Sequence, residues 1–529
     1  MAFKILWVDD NIDELGGHLR YLGEKGYEVE GVTNGLDALA VMKEKTFDAV
    51  LLDEMMPGMG GLETLAEMRK FNTSTPVVMI TKSEAEDLMT RAIGQRIDDY
   101  LVKPVSPLQI LSALKRQLEA RKLTGEEVTR NYMSNFMALG DRFAAASSPT
   151  DWEDIYKDLV TWSMDLFEFG DHGLLETLED QITAANLAFA KYVREHYREW
   201  VNADGATGVG TGPDAVMEAP LLSPRVFETW VAPEIENSKQ VFLVVIDCMR
   251  LDQLRMIEPL LESFFHLERR HYWSILPTAT PNARNSLFAG LYPLDIAEGY
   301  PQWWIGSADH DGSRNAHEGD LMNELLKRIG SPAVGSNRYY KVSDARDLDL
   351  LHRNLGSLGD TRLVAGVYNF LDIMAHGRSQ NRILKELAPD EAAFRSLMRS
   401  WFEHSNLYDV MKNLARRDCT VILTTDHGSK LCKRAVQIRG NRDTSSNVRY
   451  KFGDNLGVDE DRVMLMKNPE HYRLPAQTTI ENYAITADNF YLVYPTNFHE
   501  YERLYRDSFQ HGGISLEEVI CPFLVMKPR

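Results

Sequence analysis

Short apolar runs, each ending in a reactive side chain, constrain the N-terminal part of this chain more tightly than any other feature. Ile5 to Val8 runs into Asp9 and Asp10, Ala49 to Leu52 into Asp53, Val77 to Ile80 into Thr81, and Tyr100 to Val102 into Lys103. Runs that are apolar throughout, instead of alternating, are the mark of strands buried on both faces. The amphipathic stretches between them predict helices, so the whole predicts a doubly wound α/β unit over residues 1–120. Active groups in that architecture sit beyond the carboxyl ends of the strands, which places these residues at one rim. Phosphorylating a carboxylate from a small donor needs Mg²⁺ held by several acidic oxygens, and Asp9, Asp10 and Asp53 supply them. Thr81 can donate a hydroxyl to the new phosphoryl group and Lys103 can pair with it. Pro104, next to Lys103, is a natural place for a cis peptide.

A chain of 529 residues predicts about three domains at the usual domain size. Residues 121–201 carry helical periodicity alone, as in Trp152, Ile155, Leu159 and Trp162, and predict a small helical bundle or connector. Thr150 with Glu153 forms a capping-box pattern, and Asp171 is placed to cap the next helix. Residues 202–225 are rich in Gly, Ala, Thr and Pro and read as a flexible linker. Their Gly-rich run lacks the Lys-Ser/Thr pair of a phosphate loop. From 226 to 529, apolar runs again alternate with helices and predict a second, larger α/β domain.

The net charge is −20 and none of these segments is basic overall, which argues against an output domain held on DNA phosphates. Four widely spaced cysteines indicate neither a disulfide framework nor a thiolate zinc site. With no apolar run of membrane-spanning length and early acidic residues, a cytoplasmic location is expected.

The larger domain carries residues suited to metal-assisted phosphoester chemistry, which needs carboxylate and imidazole ligands and a hydroxyl to deprotonate. Asp247 ends the run V-V-I-D; Thr280 precedes Pro281 at a predicted helix start, where an anionic oxygen is favoured. Asp372 and His376 are one helical turn apart, Asp426 and His427 stand in T-D-H-G, and His511 in H-G-G. Thr278 is a second candidate nucleophile, and Asn282 or Asn285 is placed to support a phosphoryl oxygen. Arg250 could contact phosphate or serve in an ion pair. Between 430 and 451 lie Lys430, Lys433, Arg434, Arg439, Arg442, Arg449 and Lys451 against a single Asp443. Such a bias reads either as a grip for a polyanion such as an oligonucleotide or as a solvated, internally paired loop.

The motifs V-D-D, L-L-D-E-M-M-P-G, M-I-T and Y-L-V-K-P resemble the receiver domains of bacterial two-component systems. By that resemblance Asp53 is the phosphate acceptor, and Tyr100 turns inward with Thr81 on phosphorylation. The order D, T-P-N, D-x-x-x-H, D-H-G, H-G-G resembles the alkaline phosphatase superfamily, and more closely its PglZ-type branch. The resemblance implies two Zn²⁺ ions, one held by Asp372, His376 and His511, the other by Asp247, Asp426, His427 and Thr280. It also implies in-line attack by Thr280, a phospho-threonine intermediate and its release by water. The domain order as a whole resembles the PorX-type response regulators. That implies a sensor histidine kinase as phosphodonor, a role in type IX secretion, and a sigma factor or secretion-system component as a further partner. A phosphodiesterase acting on cyclic or linear oligonucleotides, dimerising on phosphorylation, is the leading expectation. A non-catalytic scaffold that binds a nucleotide or protein, and a phosphomonoesterase or phosphotransferase, stand beside it.

Overall fold

The computed structural model describes residues 2–529 except 70, 73–74, 83–96, 170–172, 204–218, 305–314, 343–346, 348–352, 354–355, 357, 360, 381–384, 387, 389, 441–446 and 497, and the side chains of 120–121 and 378–380. The expected cap at Asp171, most of the 202–225 linker and Arg442 fall outside the described residues.

The chain divides into two compact units, Met1–Ser134 with Asp165–Leu175, and Asn135–Met164 with Glu176–Arg529. In the first, strands β1 (Phe3–Val8), β2 (Tyr27–Val32), β3 (Ala49–Asp53), β4 (Val77–Thr81) and β5 (Asp99–Val102) form a parallel sheet in the order β2-β1-β3-β4-β5. Two apolar clusters cover its faces: Ile5, Trp7, Leu51, Val78 and Ile80 on one, Leu6, Val8, Val50, Leu52 and Met79 on the other. Alternate residues of one strand therefore feed opposite cores, which is why the runs read as continuously apolar. The strand order reverses at β1 and β3, the two strands that carry Asp9 and Asp53.

After α1 (Gly16–Glu24), α2 (Gly35–Glu44) and α3 (Gly61–Arg69) of the first unit, three long helices follow: α4 (Pro107–Ala145), α5 (Pro149–Glu168) and α6 (Gly173–Asn202). The first begins within the 1–120 span and runs through residue 120 without a break, because no Gly or Pro interrupts it there. The start of α5 is capped two residues earlier than the sequence pattern suggests. Ser148 Oγ accepts from Asp151 N at 3.2 Å and Asp151 Oδ2 accepts from Ser148 N at 2.9 Å. Glu153 instead accepts from Trp273 Nε1 at 3.2 Å. Helices α5 and α6 belong largely to the second unit, joined to it by Trp152, Phe189, Tyr192 and Trp200 around Trp273.

The second unit is built on a six-stranded sheet in the order β7-β18-β10-β6-β9-β8. Strands β6 (Val241–Ile246), β8 (Asn337–Val342), β9 (Leu363–Tyr368) and β10 (Thr420–Thr424) run parallel; β18 (Ile520–Pro528) and β7 (Phe265–Trp273) close one side antiparallel. Phe242, Val244, Ile246 and Leu423 face one core, and Leu243, Val245, Val367 and Ile422 the other. Smaller pairings include β11 (Lys430–Cys432) with β17 (Ser508–Gln510), which carries the chain up to His511. All four cysteines are free and buried. No described helix is long and apolar enough to cross a membrane.

Candidate active site and phosphorylation switch

In the first unit, Asp9, Asp10 and Asp53 offer oxygens within 4.8 Å of one another. Lys103 Nζ lies 3.0 Å from Asp53 Oδ2 and 3.1 Å from Asp9 Oδ2, and the Lys103–Pro104 peptide is cis. Burial pushes the Asp53 carboxyl above its ordinary pKa, against the pull of Lys103. Burial lowers Lys103, but hydrogen bonds to Asp53 and Asp9 outweigh it and hold the ammonium charged. Asp53 Oδ1 is buried with no hydrogen-bond partner among the described residues. A buried carboxylate oxygen left open beside two further carboxylates fits an oxygen-seeking divalent cation, and these three residues would hold Mg²⁺. Thr81 donates its hydroxyl to Glu54, and Tyr100 lies 47 % exposed.

In the second unit, the parallel strands deliver their ligands past their carboxyl ends. Asp247 directly follows β6, Asp426 and His427 follow β10, and the helix after β9 (Phe370–Gln380) carries Asp372 and His376 one turn apart. His511 arrives from β17. These side chains gather into two groups, Asp372 with His376 and His511, and Asp247 with Asp426 and His427, each with ligand atoms within 4.8 Å. In the first, His376 Nε2 and His511 Nε2 approach to 3.2 Å and stand 3.3 and 3.4 Å from Asp372 Oδ1. In the second, Asp247 Oδ1 and Asp426 Oδ2 are buried with no hydrogen-bond partner among the described residues. Burial pushes Asp247 and, further, Asp426 above the ordinary carboxylate range; it also drives His427 well below the usual imidazole value, aided by nearby His511. His511 is held up at about 9, since contact with Asp372 outweighs burial. Open, buried carboxylate oxygens converging with imidazole nitrogens form the donor chemistry of a zinc site. The two groups fit two such ions.

Thr280 opens the helix Thr280–Ala289, and its Oγ1 is 3.1 Å from His427 Nε2. Thr278 is wholly buried and spends its hydroxyl on Gly513 O at 2.7 Å, so the geometry separates the two threonines. Asn282 is buried on the first helical turn. Asn285 donates to Pro281 O at 2.9 Å and accepts from Asn315 at 3.4 Å, so its amide serves the helix and its neighbour.

The basic segment differs from an open grip. Lys430 is buried against Glu517 at 2.5 Å, and Lys433 pairs with Glu179. Arg434 pairs with Asp488 and lies over Phe490. Arg449 is fully buried on Glu518 and the carbonyls of Ala487 and Phe490. Lys451 is buried over the Tyr494 ring, its pKa pushed down to about 8 by burial. Arg250 is buried between Asp252 and Glu391. Of these described cations, Lys430, Lys433, Arg434, Arg449 and Arg250 meet carboxylates and Lys451 is enclosed, while Arg439 is exposed. The partners come from 179, 391, 488, 517 and 518, mostly far along the chain.

Arg284 escapes the motif reading, although it stands four residues after Thr280 and so on the same helical face. It is buried with NH1 at 2.6 Å from Asp247 Oδ2 and 3.8 Å from Asp426 Oδ2, and its Nε at 2.5 Å from Glu318. Asn315 was also missed; its Nδ2 donates to Thr280 O at 3.1 Å.

A receiver fold followed by an alkaline-phosphatase-like domain defines the class: a response regulator with a phosphatase-like domain. Residues 226–526 match the BREX system PglZ alkaline phosphatase-like domain, 5–115 the response regulator receiver domain, and 122–201 the PorX response regulator linker domain. The chain belongs to the PglZ alkaline phosphatase-like family, in the receiver, linker and PglZ arrangement of the PorX-type response regulators. Among curated proteins, it is 36 % identical over 137 residues to the transcriptional regulatory protein ZraR of Klebsiella oxytoca, covering 26 % of this chain and 31 % of that one. It is 39 % identical over 105 residues to the regulatory protein VanRB of Enterococcus faecalis, covering 20 % and 47 %. The chain spans about a third to a half of these relatives' length. Among solved structures, Vibrio cholerae chemotaxis protein CheY4 is 32 % identical over 22 % of this chain and all of its own, with a TM-score of 0.21.

Proposed function

We propose that this response regulator is a zinc-dependent phosphodiesterase acting on nucleotide-type diesters, cyclic or linear, and that phosphorylation of Asp53 by a sensor histidine kinase governs its dimerisation. A role in type IX secretion, with a sigma factor or secretion component as partner, follows from the PorX-type arrangement and forms part of the same proposal. The observation that carries the catalytic reading is Thr280 Oγ1 at 3.1 Å from His427 Nε2, at a helix start, beside two clusters of metal-ligating side chains.

Asp372, His376 and His511 would hold one zinc, and Asp247, Asp426 and His427, with Thr280, the other. When bound, the ions supply Lewis acidity and screening of phosphoryl charge. Thr280 Oγ forms the new P–O bond in line while the bond to the departing alcohol breaks, leaving the phosphoryl group, with its remaining ester arm, on Thr280. Water then cleaves the threonyl ester and restores the hydroxyl. The helix N-terminus favours the anionic oxygens throughout, and Asn282 faces the same first turn. Arg284 bonds the other oxygen of Asp247, opposing the upward push of burial and orienting that carboxylate. Because Lys430, Lys433, Arg434 and Arg449 are paired with carboxylates of the same chain, binding of a long polyanion has less support than binding of a short diester.

Initial rates on a chromogenic phosphodiester and on its monoester, with zinc-loaded protein, test this reading. Faster hydrolysis of the diester is expected. Preference for the monoester would make the protein a monoesterase, and no hydrolysis of either would leave a binding scaffold.

A further inference from the structure

We propose that the third connector helix, α6, is a positioning element of the phosphoesterase site, acting through Asn186 and Tyr197. The inference rests on the catalytic reading above. Eleven residues separate the two, close to three turns of about 3.6 residues each, so both lie on one face some 16 Å apart along the helix.

Asn186 is fully buried, and its amide is used at both ends. Nδ2 donates to Glu517 Oε2 at 3.1 Å, and Oδ1 accepts from Leu516 N at 2.7 Å. The segment it grips, Leu516 to Glu518, supports both histidine-bearing turns. Gly428, next to His427, donates its N–H to Glu518 O at 3.2 Å. A Cβ at Gly428 would stand 1.9 Å from Glu517 O, so the turn presses its backbone directly on this segment. The Glu518 carboxylate accepts from Gly513 N at 2.8 Å, two residues beyond His511.

Tyr197 accepts from Leu276 N at 2.7 Å through its buried hydroxyl. Leu276 begins the turn that runs through Thr278, itself bonded to Gly513 O, and ends at Thr280. On the same helix, Phe189 and Trp200 pack on Trp273 at 5.2 and 5.4 Å, where β7 enters that turn. One helix thus fixes the nucleophile's turn at one end and the floor of the His427 and His511 turns at the other. Among the described residues, neither hydrogen-bonds Thr280 or the ligand side chains, so both act through the segments they hold. Buried polar groups spent on backbone amides of the site, and not on the connector itself, set these two apart from ordinary packing.

The test uses the full-length protein with Tyr197→Phe, Asn186→Ala, the milder Asn186→Ser, and Tyr192→Phe as the control from the same helix. The Tyr192 hydroxyl donates to Ser147 O within the connector. Three quantities are read: kcat and KM on a chromogenic diester, zinc affinity by competition with a chelator, and melting temperature. The proposal expects Tyr197→Phe to lower kcat at least tenfold with KM within twofold, and the Asn186 variants to weaken zinc binding at least tenfold. Tyr192→Phe, with a comparable melting shift, should change neither. If the Tyr197 and Asn186 variants match the control in both kcat and zinc affinity, the proposal is overturned. Zinc affinity is measurable whether or not any diester turns over, so failure of this inference and failure of the catalytic reading give different results.

Discussion

Thr280→Ala should lower diester turnover by about a thousandfold or more, the scale at which loss of a covalent nucleophile is felt. Its Oγ1 stands 3.1 Å from His427 Nε2 at the start of that helix, beside the Asp247, Asp426 and His427 group. Thr278→Ala makes the contrast. That hydroxyl is committed to Gly513 O, so its removal should cost about 1 kcal/mol of stability and less than tenfold in turnover. Rates on a chromogenic diester, with zinc content measured on the same samples, decide between them. A Thr280→Ala protein working at the parent rate would sink the nucleophile assignment.

Asp53→Asn should abolish the response to an acyl phosphate mimic, which in the parent protein is expected to double the mass measured by light scattering. At present Lys103 bridges Asp53 and Asp9, Thr81 is bonded to Glu54, and Tyr100 is exposed. A phosphoryl group brings about −1.5 to −2 charges and three acceptor oxygens. Lys103 and Thr81 then have a stronger partner than the ones they hold, and Thr81 must leave Glu54 to reach it. By the receiver resemblance, Tyr100 is expected to turn inward as Thr81 moves, which would change the receiver face that pairs. Asparagine at 53 cannot form the acyl phosphate, so its mass should stay that of the untreated protein. An unchanged mass for the treated parent, or an equal rise in Asp53→Asn, would contradict this coupling.

How legible this molecule was in its sequence depended on how local each determinant is. Strands buried on both faces announce themselves as apolar runs, and a strand-end carboxylate such as Asp53 or Asp247 follows directly from where the run stops. Asp372 and His376 were legible for the same reason, since helical spacing alone puts them on one face. The basic segment was not, because its charge balance lies elsewhere in the chain: Arg449 finds Glu518, Lys433 finds Glu179 and Arg434 finds Asp488. A local count of Lys and Arg cannot see such partners. The cap of α5 shifted by two residues because Ser148 and Asp151 satisfy each other, while Glu153 accepts from Trp273. Arg284 could have been found from its four-residue spacing after Thr280, but its partners Asp247 and Glu318 come from separate strands and helices.

Two phosphate chemistries are assigned to one chain, one at Asp53 and one at Thr280, and a single measurement separates them. Zinc-loaded protein is mixed with a diester labelled at phosphorus, quenched in acid within a turnover, and digested for mapping of the label. An acid-stable label on the peptide containing Thr280, absent from Thr280→Ala, is the result expected. A label that is lost on hydroxylamine treatment and maps to Asp53, or no covalent label alongside undiminished turnover, would contradict it.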